Sequence, residues 1–368
     1  MLKPKQILFP FISVLFGLFL SFLILELFCR VLPVRDSLMM LPVHATNPIV
    51  RFKPNRVITW SSGATFAIVT SKHINNYGFL SDQDYFPTEE SPLLAIIGDS
   101  YVEAAQVDTR NTMHGILSQE TVGKGRVYCF GASGSPLSTY LAYAKYATQE
   151  FNATALVFII VGNDFDESLL EYKSAPGFHY FAASAEGLSF VRKDYQPTLL
   201  KRLARQSALI RYLALNMQLR WQSIESLFGK PVGEAAFVGN TRAAFDEERM
   251  SKSRRVVDRF LAELPTQTGL GSDRILFVLD GMRPQLYEAK TLAAADGSYF
   301  DVMRDYFMEV AAKKEFAVID MQPRFVEKYK AEGVRFEFRS DAHWNEAGHR
   351  LVAEAIRESA VYRSVFER

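Results

Sequence analysis

Three groups in this chain would, if brought together, turn a hydroxyl into a nucleophile. Ser100 follows Gly98-Asp99, and His343 lies in the run Ser340-Asp341-Ala342-His343-Trp344-Asn345-Glu346-Ala347-Gly348-His349, with Asp341 two residues before the imidazole. A serine hydroxyl is a weak nucleophile until a neighbouring base takes its proton. That base works when a carboxylate holds it in one tautomer. Attack on an ester carbonyl also needs hydrogen-bond donors for the oxyanion, each contributing about 3–4 kcal/mol. Gly131-Ala132-Ser133-Gly134 offers a flexible backbone for this, and Gly162-Asn163-Asp164 offers a side-chain amide. Together these are the parts of an acyl-transfer site.

The elements that must position them are legible as apolar runs. Residues 93–97, 126–130, 155–161, 275–279 and 316–319 are apolar stretches, broken only by Arg126 at the start of the second, and the first three end in the clusters just named. Such runs suit strands buried on both faces of a parallel sheet. In open parallel sheets the carboxyl ends of the strands form the edge that binds ligands. Helical patterns between the runs, such as 243–264, and a closing helix over 350–359 predict a three-layer α/β/α parallel sheet with right-handed crossovers. More chain lies between Asp164 and Ile275 than one crossover needs. Leu199, Leu200, Leu203, Leu209, Ile210, Leu213, Met217, Trp221, Ile224 and Leu227 recur there at near-helical spacing, which predicts a helical insertion at about 165–272 near the ligand edge, serving as extra core rather than as a moving lid. Upstream, 57–60 and 65–70 read as a strand pair around Ser61-Ser62-Gly63, and Asn75-Asn76-Tyr77-Gly78 as a turn, within a β-rich entry segment spanning 29–90.

The first thirty residues form a different kind of segment. Residues 7–28 are almost wholly apolar, interrupted by Pro10, Ser13, Gly17, Ser21 and Glu26. As a helix that stretch is roughly 33 Å long at about 1.5 Å per residue, enough to cross a bilayer core. No small-residue cleavage pattern follows it, and Leu27-Phe28 precede Cys29 where a lipid-modified cysteine would need small residues. The expectation is a short cytoplasmic tail at 1–6, a single transmembrane anchor at 7–28, and a catalytic domain at 91–368 facing the periplasm or cell exterior. Lys3 and Lys5 on one side and Arg30 and Arg35 on the other give only a slight charge bias. The 368 residues are 48% hydrophobic and 23% charged, a globular composition, with 42 basic and 41 acidic residues. This balance, with no basic block, points away from a nucleic-acid partner. The two cysteines, Cys29 and Cys129, imply no disulfide framework, and no compact His/Cys cluster suggests a metal.

Gly-Asp-Ser alone is a weak signal. Its order with the later clusters, each after an apolar run, and the terminal Asp-Ala-His-Trp-Asn are together much stronger. In these blocks the chain resembles the SGNH (GDSL-like) hydrolase superfamily, over about residues 93–360. The resemblance implies Ser100 as nucleophile, His343 as its base, and an oxyanion hole from the Ser100 N–H, the Gly134 N–H (with Gly131 as the alternative) and the Asn163 side chain. It implies no metal or organic cofactor. The usual last block places its Asp three residues before the His, where Ser340 stands here, so Asp341 takes the orienting role at a shorter spacing. That D-x-H-W spacing resembles the SGNH-like domains of alginate O-acetyltransferases. Cys129 stands where an Asn often precedes the second block. The implied activity is a membrane-anchored serine esterase acting on small esters or the O-acyl groups of an envelope or extracellular polysaccharide. The alternatives are an O-acetyltransferase, if a sugar hydroxyl intercepts the acyl-enzyme, and a non-catalytic binding or assembly protein of the same fold. A flavodoxin-like nucleotide site is disfavoured because no phosphate-cradling glycine loop follows the first run.

Other residues have plainer readings. Asp99 reads as a turn residue positioning its loop, Asp280 as loop geometry at a strand end, and Asn345 as the cap of the last helix. His349 reads as a capping or surface group. Trp344 either packs over the loop of His343 or lines an acyl pocket. His44, His73, His114 and His179 stand in no motif.

Overall fold

The computed structural model describes residues 4–185, 187–219 and 236–367. In chain order it contains α1 (Pro4–Val31), β1 (Arg56–Ser62), β2 (Ile68–Ile74), β3 (Leu93–Gly98), α2 (Ser100–Glu103), α3 (Met113–Glu120), β4 (Arg126–Gly131), α4 (Leu137–Phe151), β5 (Ala155–Ile160), β6 (His179–Ser184) and β7 (Gly187–Arg192). There follow α5 (Leu199–Ala204), α6 (Ala208–Arg211), β8 (Phe237–Val238), β9 (Thr241–Arg242), α7 (Glu247–Thr268), β10 (Ile275–Leu279), α8 (Ala289–Ala295), α9 (Tyr299–Lys313), β11 (Ala317–Asp320), α10 (Met321–Glu332), β12 (Glu337–Phe338), β13 (Asp341–Trp344), α11 (Glu346–Arg357) and α12 (Ala360–Phe366). The chain divides into two compact units: Met1–Leu38 with Ile58–Ser71 and Pro197–Pro231, and Met39–Val57 with Lys72–Gln196 and Val232–Arg368.

The larger unit is built on a five-stranded sheet in the order β11-β10-β5-β3-β4, every neighbouring pair parallel. Numbered by their order along the chain, the strands run 2-1-3-4-5, a doubly wound order whose direction reverses between β3 and β5. β3, β4, β5 and β10 are buried along their whole lengths, as their apolar runs require, and Arg126 at the start of β4 is buried with its guanidinium donating to the Phe86, Glu89 and Ser91 carbonyls. Alternate residues serve opposite faces. Leu94, Ile96, Val127, Val157, Ile159 and Val278 share one core with Met113 and Leu117 of α3, Met321 and Phe325 of α10, Val352 and Ile356 of α11, and Phe366 of α12. On the other face, Phe158 packs edge-on against Phe260 of α7 at 5.6 Å and Phe277 against Phe307 of α9 at 5.0 Å between ring centres. The result is the expected three-layer α/β arrangement with a central parallel sheet.

The expected insertion is not simply helical. It includes the antiparallel hairpin β6–β7, the two-residue pairing β8–β9, and helices α5, α6 and α7. Leu199, Leu200, Leu203, Ile210, Leu213 and Met217 do not form extra core, because all of them are exposed. Trp221, Ile224 and Leu227 lie outside the described residues.

In the smaller unit, α1 is apolar and long enough to cross a membrane over Phe9–Val31. Its hydroxyls turn back onto the helix, Ser13 Oγ donating to the Phe9 carbonyl at 3.0 Å and Ser21 Oγ to that of Gly17 at 2.9 Å. Neither therefore leaves an unsatisfied polar group on an apolar surface. Around its far end, the Asp36 carboxylate accepts from the Thr59 N–H at 2.9 Å, Ser61 Oγ donates to the Pro33 carbonyl at 2.7 Å, and Asn216 Nδ2 donates to Ser61 Oγ at 2.8 Å.

The expected turn at Asn75–Gly78 is present. Asn75 Oδ1 accepts from the N–H groups of Tyr77 and Phe79, each at 3.0 Å, and Gly78 takes a φ of +86°. A Cβ at Gly78 would run into the Phe52 carbonyl oxygen. Gly78→Ala is therefore expected to destabilise the protein by more than about 1 kcal/mol, read as a lower midpoint in chemical unfolding.

Candidate active site

The site is assembled at the carboxyl ends of β3, β4 and β5, at the point where the strand order reverses, the place where ligands bind in open sheets of this kind. β3 ends at Gly98, Asp99 follows, and α2 begins at Ser100. Asp99 caps α2, its Oδ1 accepting from the Tyr101 N–H at 2.9 Å. This is the positioning role expected of it. Gly98 and Gly131 let α2 sit close to the sheet, because a Cβ on either would press on Val102.

β13 carries the candidate base. It is extended, so Asp341 and His343, two residues apart, project to the same side. His343 Nδ1 is hydrogen-bonded to Asp341 Oδ1, and Asp341 also accepts from the His343 backbone N–H at 3.0 Å. A carboxylate can only accept, so Nδ1 carries the hydrogen and Nε2 has a free lone pair. Ser100 Oγ lies 2.7 Å from that Nε2 and can donate to it. The three side chains that the sequence singled out thus form one connected line. Burial opposes the charged imidazolium, but the hydrogen bond and charge of Asp341 outweigh it and hold His343 above the ordinary imidazole range. Burial likewise opposes the Asp341 carboxylate, and its bonds to His343 outweigh that and keep it below its usual value.

The candidate oxyanion donors flank Ser100. Gly134 has a φ of +82°, which a residue with a side chain rarely adopts, in the loop after β4. Among the described residues, neither the Ser100 N–H nor the Gly134 N–H has an acceptor. Asn163 follows β5. Its Nδ2 donates to Glu167 Oε2 at 3.1 Å and its Oδ1 accepts from Asn240 Nδ2. A primary amide has two N–H donors, so one is left for a developing oxyanion. Gly131, the alternative to Gly134, is the last residue of β4 and pairs with Gly98.

Several supporting residues escape a reading of the sequence alone. Glu103 accepts from Ser133 N at 2.7 Å and from Ser133 Oγ at 2.9 Å, which holds the loop that presents Gly134. Its place one turn after Ser100 on α2 was an available signal. Lys173 pairs with Glu167 and donates to the Gly134 carbonyl at 2.8 Å, offsetting a carboxylate beside the oxyanion donors. Nothing in the sequence marks Lys173, Glu167 or Asn240 as neighbours. Gln106 Nε2 donates to Asp341 Oδ2 at 3.3 Å. Asp164 is buried, accepting from the Val161 N–H and from the Tyr140 hydroxyl, each at 2.8 Å, and so braces the turn that carries Asn163. Burial, then the charge of Asp99, raises its pKa well above the carboxylate range.

Three of the plainer expectations need correction or resolution. Asp280 does more than shape a loop. It forms a buried bidentate pair with Arg283 at 3.0 and 2.7 Å, and accepts from Trp344 Nε1 at 2.9 Å. Arg283 Nη1 and the Tyr101 hydroxyl then donate to the Ala342 carbonyl at 3.2 and 3.3 Å, clamping β13 between Asp341 and His343. Trp344 is buried in the core, 1% exposed, and packs behind the loop. His349 is neither a cap nor a surface group. It is 1% exposed, and its Nδ1 accepts from the Met113 N–H at 3.3 Å. Its place on the inward face of α11 decides this, because Asn345 already caps that helix by accepting from Gly348 N at 3.0 Å. His114 and His179 are also buried, and burial lowers their pKa values to about 3 and about 4.

No known family profile and no curated protein matches this sequence. Among solved structures the chain is similar to a lipase/acylhydrolase from Enterococcus faecalis, at 12% identity and a TM-score of 0.38, over 75% of this chain and 96% of that one. It is also similar to a GDSL-like lipase from Parabacteroides merdae, at 11% and 0.40 over 74% and 96%, and to an acetyl xylan esterase, at 11% and 0.40 over 72% and 97%. These likenesses are too distant to assign a family or a substrate, so the functional reading rests on the site itself.

Two outcomes are expected from this geometry. The rate at which a fluorophosphonate probe labels Ser100 should rise with pH as His343 loses its proton, with a midpoint above the roughly 6.5 of an unperturbed imidazole. In Asp341→Asn the cause of that rise is gone, so the midpoint should move to lower pH while the plateau rate falls. Arg283→Met leaves Asp280 buried without its counter-charge, and a loss of about 3–5 kcal/mol is expected in urea unfolding. Adding Asp280→Asn should restore part of it.

Proposed function

We propose that this protein is a serine ester hydrolase working through an acyl-enzyme. The observation that carries the reading is the continuous line Ser100 Oγ–His343 Nε2 and His343 Nδ1–Asp341, at the reversal point of the sheet. In the first half-reaction His343 accepts the Ser100 proton as Oγ bonds to the ester carbon. The carbonyl oxygen becomes an oxyanion held by the N–H groups of Ser100 and Gly134 and the amide of Asn163. The imidazolium, stabilised by Asp341, then gives its proton to the leaving alcohol. In the second half-reaction His343 activates water, which releases the acid and restores Ser100. This cycle calls for no metal or organic cofactor.

The substrate we favour is an O-acyl group, acetyl above all, on an envelope or extracellular polysaccharide. Its support is a cavity of about 620 Å³ beginning at Asn163, where the exposed rings of Tyr172, Phe237 and Phe245 stand among Asn240, Asp246 and Arg249. Flat apolar faces beside hydrogen-bonding side chains suit a sugar ring better than a long acyl chain. A sugar hydroxyl bound there could replace water in the second half-reaction, which would make the enzyme an O-acetyltransferase. With α1 as a single-pass anchor, we place the chain that follows it on the periplasmic or outer side of the cell membrane.

The test is acetate release from p-nitrophenyl acetate and from an acetylated glycan. Ser100→Ala should lower turnover by at least about 10³-fold, and Asn163→Ala by about 10²–10³-fold. Transfer would appear as acetate moving to an added unacetylated glycan. Folded wild-type protein that neither turns over esters nor takes up a fluorophosphonate would overturn the proposal in favour of a binding or assembly role.

A further inference from the structure

Residues 199–219 present an unusual surface. Leu199, Leu200 and Leu203 are 67%, 77% and 55% exposed, and Ile210, Leu213 and Met217 are also exposed, at intervals that place each trio along one side of its helical turn. The same segment carries Lys201, Arg202, Arg205 and Arg211 and has no acidic residue between Pro197 and Leu219. Large bare aliphatic side chains interleaved with cations are poorly suited to water. They suit the boundary between lipid headgroups and acyl chains, where leucines can enter the acyl layer and lysine and arginine can reach outward to phosphate.

The depth of this surface is set by its attachment to α1. The Glu26 carboxylate, tied to Arg30 Nε at 2.8 Å, accepts from Ser207 Oγ at 2.7 Å and from the N–H groups of Ala208 and Leu209 at 3.0 and 2.9 Å. It thus binds the start of α6 to the last turns of α1. Cys29 and Val34 share a small apolar cluster with Ala208. Glu26 lies about 26 Å along the helix axis from Phe9, close to the roughly 30 Å of a bilayer core. With α1 as the anchor, Glu26 stands in the last turns of the span Phe9–Val31, near the level of one headgroup layer. Leu203 is four residues from Ser207, hence no more than about 14 Å away even with the chain extended.

We propose that residues 199–219 form a platform lying in the headgroup layer of an anionic bilayer, with the exposed leucines in the acyl boundary and Lys201, Arg202 and Arg205 against lipid phosphates. The inference rests on α1 being the membrane anchor. A crevice of about 320 Å³ in the same region joins the cationic side chains Arg35, Lys201 and Arg205 to the apolar Ile210 and Leu215, with Asp36 on its wall ion-paired to Arg211.

The experiment uses the full-length protein in nanodiscs of phosphatidylcholine and phosphatidylglycerol. An environment-sensitive fluorophore is attached at Leu200→Cys, the native Cys29 and Cys129 being buried. A second protein carries the probe at Phe16→Cys in the middle of α1. The expected result is blue-shifted emission at position 200, quenched more by lipids spin-labelled near the headgroup than by lipids labelled deep in the chain, with the opposite order at position 16. Lys201→Glu with Arg202→Glu should weaken the quenching at position 200. Water-like emission at 200 with deep quenching at 16 would overturn the platform and leave the anchor standing. Blue-shifted emission at 200 that no lipid label quenches would mean that a protein surface, such as a second copy, covers the leucines, and would also overturn it. Absence of lipid quenching at both positions would remove the anchor and the platform together.

Discussion

The candidate site depends on the extended backbone of Asp341–Trp344. In a strand, residues two apart share a face, so an Asp two positions before a His can reach its ring. The same alternation turns Trp344 away from His343 and into the core, where its indole N–H meets Asp280. A helical or coiled backbone here would send the carboxylate elsewhere, and His343 would lose both its tautomer and its orientation. The Asp-Ala-His spacing is thus a working arrangement because β13 is a strand, held as one by its pairing with β12 and by the two donors on the Ala342 carbonyl.

That strand is held in turn by buried charge. Arg283 and Asp280 satisfy one another with two hydrogen bonds, and both have further partners on the catalytic side. A buried ion pair contributes little net stability, but losing one partner costs a great deal. Its value here is geometric, because it joins the end of β10 to β13 across the core. Glu103 ties α2 to the loop after β4 through the Ser133 N–H and hydroxyl, and Asp164 braces the turn after β5 through the Val161 N–H and the Tyr140 hydroxyl. Ser100 opens α2, His343 lies on β13, and Gly134 and Asn163 sit on the loops after β4 and β5, so the candidate groups come from different elements, each braced by a buried carboxylate.

The smaller unit uses a carboxylate for another purpose. Glu26 stands near the end of an apolar helix, where an unpaired charge would be costly, and it is satisfied by Arg30, a serine hydroxyl and two backbone N–H groups. Three of those bonds, from Ser207 Oγ and the N–H groups of Ala208 and Leu209, tie a leucine- and arginine-bearing segment to the last turns of that helix.

Much of this was written locally in the chain. The apolar runs determined the strands, because a run without polar alternation can be buried only on both faces. The Gly-Asp-Ser and Gly-Asn-Asp clusters placed Ser100 and Asn163 just after strand ends, and the parallel sheet gathers those ends on one edge, whereas His343 reaches the same edge from β13, which lies outside that sheet. The cap at Asn345 and the turn at Gly78 followed from single-residue stereochemistry. What the tertiary structure alone decided was partnership at a distance. Asn240 beside Asn163, Lys173 between Glu167 and Gly134, and Glu26 against Ser207 join residues far apart in sequence, and no local pattern encodes their meeting. His349 was misjudged because a histidine near a helix start looks like a cap until the face it occupies is known. The leucines of α5 were misjudged for a related reason. Periodicity shows that a helix has an apolar face, but not whether that face meets protein or something else, since that depends on what the rest of the fold leaves uncovered.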